Sequence, residues 1–155
     1  MKKFRIALHS SIVLLAIIAL TAWVDDQKEP SNCIRDGKGL RIDLDWTTGG
    51  NIPGALLEAD LDLDVFKGEG EILSSYNSYE FEQVDLTNTF EDGVYTVKVS
   101  AHEISNRCDY TLKVSGSATG KSFRVVGVFN TDEVQPTAFM LKITKVGEQF
   151  TVSAL

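Results

Sequence analysis

Histidine, cysteine and proline are scarce in this 155-residue chain, at two, two and three residues. His9 falls in the apolar N-terminal segment, which leaves His102 as the one imidazole further along. A lone histidine beside Glu103 in a polar stretch serves neither a zinc hydrolase nor a catalytic triad, and no Gly-x-Ser-x-Gly elbow is present to use it. Basic residues are also in deficit, with 15 Lys and Arg against 22 Asp and Glu. That balance excludes the basic footprint nucleic acid requires and disfavours adsorption to anionic headgroups. Carboxylates are too abundant for any one pair to mark a glycosidase. Sustained helical periodicity is missing, apart from a single turn expected at 54–59. Catalysis is therefore not expected.

What is present begins with a leader. Lys2, Lys3 and Arg5 precede an apolar core from Ile12 to Leu20, too short to span a bilayer as a mature helix. Residues 1–22 read as an export signal and residues 23–39 as a polar tether. With the leader's three basic residues set aside, twelve Lys and Arg face 22 Asp and Glu, a formal charge of −10. In an exported chain, Cys33 and Cys108 are expected to form a disulfide. Closing a loop of that length would stabilise the fold by ~4 kcal/mol in the chain-entropy view. The alternative is two buried thiols.

From Leu40 onward the pattern has period two. Leu40, Ile42, Leu44 and Trp46 alternate with Arg41, Asp43 and Asp45; Leu61, Leu63 and Val65 alternate with Asp60, Asp62 and Asp64. Such alternation predicts strands with one buried and one wetted face. Further strands are expected over 71–75, 80–86, 94–100, 109–115, 121–129, 137–145 and 149–154, separated by Gly-containing turns. The fold class that follows is all-β: an antiparallel sandwich or jelly roll of about nine strands, one domain over residues 40–155. Gly116–Ser122 imitates a phosphate loop, but a strand follows where a helix must begin.

Two resemblances sharpen this. Leu20-Thr21-Ala22 is similar to the lipobox of bacterial lipoproteins, and Asp25-Asp26-Gln27-Lys28-Glu29 resembles the acidic run of surface lipoproteins of Bacteroidetes type. The lipidated cysteine is replaced by Trp23, which has no thiol, so a lipid anchor is not expected on this chain. Leu40–Trp46, Ala59–Phe66 and Asp92–Val99, followed by Asp109–Val114, resemble in order the strands of the bacterial pre-peptidase C-terminal type domain. That resemblance implies a non-catalytic accessory sandwich of secreted proteins, and the leader's likeness to surface lipoproteins implies a place at the cell surface, the outer membrane or outside the cell.

Two candidate sites follow from the residues. Asp60, Asp62 and Asp64, with Asp43 and Asp45, form acidic strand faces that calcium would suit if the strands were neighbours; a solvated face is the alternative. Tyr76, Asn77, Tyr79 and Phe90 set rings and an amide at strand ends, suited to a protein or glycan partner. The expected function is binding to an extracellular protein partner or envelope assembly. A carbohydrate-binding or adhesive module, stiffened by calcium, is the alternative.

Overall fold

A computed structural model describes residues 29–49, 58–77, 81–131 and 136–155. The chain divides into two units, Met1–Pro30 and Ser31–Leu155, and the strands of the described residues belong to the second. Among the described residues ten strands follow in order: β1 (Cys33–Arg35), β2 (Gly39–Thr48), β3 (Ala59–Lys67), β4 (Gly70–Ser75), β5 (Phe81–Thr87), β6 (Gly93–Ile104), β7 (Cys108–Gly116), β8 (Ser122–Phe129), β9 (Thr137–Val146) and β10 (Gln149–Ala154). They form a six-stranded sheet, β1-β10-β9-β6-β3-β4, and a four-stranded sheet, β5-β2-β7-β8, antiparallel at every pairing. This is an all-β sandwich. Among the described residues no helix is long and apolar enough to cross a membrane. The turn expected at 54–59 lies largely outside the described residues.

Alternation builds the core. Leu40, Ile42 and Leu44 of β2 are fully buried, as are Leu61, Leu63 and Val65 of β3, Tyr95, Val97 and Val99 of β6, and Leu112 and Val114 of β7. Each such side chain contributes about 1.5–3 kcal/mol relative to exposure. A one-residue slip of β2, β3 or β7 would drive aspartates inward, and a slip of β6 would drive Thr96 and Lys98 inward, which fixes register. Trp46, buried beside them, donates its indole N–H to the Ala59 carbonyl at 3.2 Å, tying β2 to β3 in the opposite sheet.

The end of the expected tether, from Cys33 to Gly39, is part of the sandwich. β1 pairs with β10, Cys33 opposite Thr151 and Arg35 opposite Gln149. Asp36 follows, 1% exposed, and its carboxylate fastens two distant turns. Oδ1 accepts the Lys38 and Gly39 amides at 2.8 and 3.2 Å. Oδ2 accepts the Ala118 and Thr119 amides at 2.7 and 2.8 Å and the Thr119 hydroxyl at 3.1 Å. Burial pushes this carboxyl upward, but the Lys38, Thr119 and Ala118 amides and the Thr119 hydroxyl outweigh it, and its pKa falls to about 2. The chain then turns into β2 at Gly39, with φ +114°. A Cβ there would stand 2.4 Å from the Leu86 carbonyl oxygen, so only glycine fits.

Candidate functional site

The two acidic sets lie on opposite outer faces of the sandwich. Asp60, Asp62 and Asp64 rise along β3 in the six-stranded sheet, while Asp43 and Asp45 belong to β2 in the four-stranded sheet. β2 and β3 are not neighbours, and sheets stack ~10 Å apart, so no cation could join the five carboxylates. Within each set, side chains two residues apart are separated by about 7 Å. Among the described residues, no group of three or more His, Cys, Asp or Glu gathers where it could hold a metal ion.

The β3 acids have other partners. Asp64 is 1% exposed and paired with Lys98 of β6, Nζ to Oδ2 2.6 Å, and the Tyr76 hydroxyl donates to its Oδ1 at 2.8 Å. The Asp64 hydrogen bond, then burial, pushes the Tyr76 phenol up to about 12. Lys98 also lies 5.1 Å over the Phe66 ring, and Phe66 meets Phe139 edge-on at 6.3 Å. Asp62 pairs with Ser100 across the strands. Burial, then Asp60 and Asp64, pushes its carboxyl up to about 6, with His102 acting the other way. His102 is exposed and lies within β6, which runs to Ile104 where a loop was expected.

The aromatic group is dispersed. Tyr76 is 61% exposed, but its hydroxyl is engaged by Asp64 and, at 3.3 Å, by Glu71. Asn77 is a clamp: its backbone amide and Nδ2 donate to the buried Glu82 carboxylate at 2.6 and 3.0 Å, and Nδ2 also reaches Ser75 Oγ at 3.0 Å. Phe90 packs against the core next to Thr87, at the far end of β5 from Glu82. That separation is about 17 Å along the strand. Tyr79 lies outside the described residues.

The expected disulfide is absent. Cys33 and Cys108 are both buried and both free. Ile34, next to Cys33, comes within reach of Gly116 at one end of β7, whereas Cys108 starts β7 at the other. Eight residues of strand span about 26 Å, far beyond the ~7 Å limit for bridging Cα atoms. Burial, then Asp109, raises the Cys108 thiol to about 12, which makes it inert.

What the residue-by-residue reading missed is the outer face of the four-stranded sheet. Phe81, Asp45, Thr111 and Val126 form one cross-strand row over β5, β2, β7 and β8; Thr47, Asp109 and Val128 form the next. Together with Arg107 and Arg124 they line a shallow groove of about 690 Å³. Phe81, Val126 and Val128 are 49, 67 and 39% exposed. Arg107 pairs with Asp109 at 2.7 Å, and Arg124 donates to Thr111 Oγ1 at 3.0 Å. Asp43 is raised by burial, with Lys113 and Arg41 opposing. The signal was present in the sequence. Phe123-Arg124-Val125-Val126-Gly127-Val128-Phe129 is apolar on both faces of its strand, where its sheet partners β2, β5 and β7 alternate. Comparison with protein-family models, curated proteins and solved structures gave no match.

Proposed function

We propose that this chain is a non-catalytic, exported binding module that holds a protein partner on the outer face of its four-stranded sheet. The single observation carrying this is the exposed trio Phe81, Val126 and Val128, bordered by Arg107, Asp109 and Arg124. An apolar centre with a charged rim is the anatomy of a protein interface. The pre-peptidase C-terminal resemblance and the lipoprotein-like leader support an accessory role at the cell envelope or outside it. Trp23 argues against a lipid-anchored form.

A photo-crosslinking residue at Val126 tests this in envelope extracts, with the same residue at Val94 as control. Val94 is 48% exposed on the six-stranded sheet. The expected result is a discrete protein adduct from position 126 and none from 94; equal labelling from both positions overturns the reading. A glycan partner is the second reading, favoured by the exposed Phe81 ring directly across from the Asp45 carboxylate, a pairing that stacks on a sugar and accepts its hydroxyls. Glycan-array binding lost in Phe81→Ala would favour it over the first.

A further inference from the structure

The four sheet edges are treated differently. β1 is three residues long, and β4 has six and meets a bulge between Val65 and Phe66. β5 is closed at its rim: the Gln83 amide donates to Ser75 Oγ at 3.4 Å, and Asn77 clamps Glu82. β8 carries none of these protections. Its eight residues pair with β7 in unbroken register from Cys108–Phe129 to Ser115–Ser122. It holds no proline and one charge, Arg124, and among the described residues no strand pairs with its other side. A long, flat, apolar edge is what soluble proteins otherwise avoid, because its unpaired amides and carbonyls template a further strand.

Charge says which strand would fit. Residues 107–130 carry four basic side chains and one acidic, net +3, in a chain of formal charge −7. Arg124 stands directly across from Lys113, a like-charge pair that destabilises the sheet unless an anion joins it. Asp43 lies across from Lys113 on the far side, two strands from Arg124. A carboxylate on an incoming strand would complete the row, whereas a second copy of β8 brings more positive charge. The valines at 126 and 128 favour β-branched neighbours two and four residues away.

We infer that β8 accepts an extended, acidic segment of a partner protein as a fifth strand of the four-stranded sheet, its carboxylate facing Arg124 and its apolar residues facing Val126 and Val128. This rests on the reading that the adjoining groove binds a protein, and specifies how that protein is held. Main-chain bonds supply affinity and the Arg124 pair supplies register.

Three synthetic nine-residue peptides of valine and threonine test it: one with glutamate placed to face Arg124, one with lysine there, and the first N-methylated throughout. They are titrated into the full chain and followed by amide chemical shifts. The glutamate peptide is expected to shift β8 amides and to bind about fivefold more tightly than the lysine peptide, as one exposed charge contact turned from attractive to repulsive allows. Arg124→Glu should reverse that order, and the N-methylated peptide should not bind. Equal binding of the N-methylated peptide overturns strand addition. So does failure of all three peptides while the Val126 crosslink persists, an outcome that leaves the groove reading intact. Sedimentation of the chain alone completes the test: a dimer dispersed by Val128→Lys would assign the edge to a second copy and overturn the partner proposed here.

Discussion

Asp36 and Asp62 are both carboxylates withdrawn from water, and they have opposite fates. Asp36, in the turn between β1 and β2, meets four backbone amides and a hydroxyl and is held at about 2. Asp62, midway along β3, has acids two residues away on either side and rises to about 6. Burial pushes both upward; what differs is whether donors converge on the charge. Asp64 is buried like Asp36 and is satisfied by one cation and one phenol. A charge enclosed by fixed donors stabilises the fold, and a charge among like charges strains it.

The strongest way to break this contrast is Asp36→Ala. It leaves the Lys38, Gly39, Ala118 and Thr119 amides without their acceptor and should cost about 4 kcal/mol. Chemical denaturation will read it, and Asp36→Asn should recover less than half, because an amide has one acceptor oxygen where two are used. Next is Lys98→Met, which strands the Asp64 carboxylate and should cost about 2–3 kcal/mol in the same measurement. A loss under 0.5 kcal/mol would show that Tyr76 alone satisfies Asp64.

Asp62→Asn has the opposite sign and should stabilise the fold by about 1 kcal/mol at pH 7, allowing for its partial exposure. The pH dependence follows. Asp62 has a folded pKa above its ordinary value of 3.8, so the folded state binds the extra proton between pH 4 and 6. Its contribution is favourable at the acid end of that window and is lost as pH rises through about 6. Asp36 runs the other way: its stabilisation is present above pH 4 and lost as pH falls through about 2. Urea midpoints of the wild type should therefore fall from pH 4 to 6, and Asp62→Asn should flatten that slope. The smallest effect belongs to Cys108, the limiting case of burial without donors. Its thiol and that of Cys33 should resist labelling in the folded chain and react fully in denaturant, with no change of gel mobility under reductant.

The strands were legible because the chain obeys a binary rule. Wherever Leu, Ile or Val alternated with Asp, Arg or Thr, as at 40–46 and 60–65, a strand formed close to the expected bounds. β1 escaped because three residues, Cys33-Ile34-Arg35, carry too little pattern; they become a strand by lying beside β10. β6 ran past its expected end because Ala101 and Glu103 find main-chain partners on β3, whatever the polarity of their side chains. Alternation names the face of a residue but not its sheet. That is why Asp43 and Asp45 could be grouped with Asp60, Asp62 and Asp64 when β2 and β3 belong to different layers. Cys33 and Cys108 were misjudged for the same reason: sequence separation says nothing about which ends of which strands coincide. The groove was visible only as a breach of the rule, at Val126 and Val128 on β8.

The pairing of Arg35 with Gln149 has a temporal consequence. These partners are 114 residues apart, and the strand that opens the sandwich rests on the strand that closes it. Contacts of such long range are the last that chain closure can secure. A polypeptide delivered amino end first, from a ribosome or through a translocation pore, must keep Ile34 wet until the final hairpin arrives. Completion of the domain is thus timed by β10, and deleting Gln149–Ala154 should leave an open, protease-sensitive sheet in place of a slightly shorter sandwich.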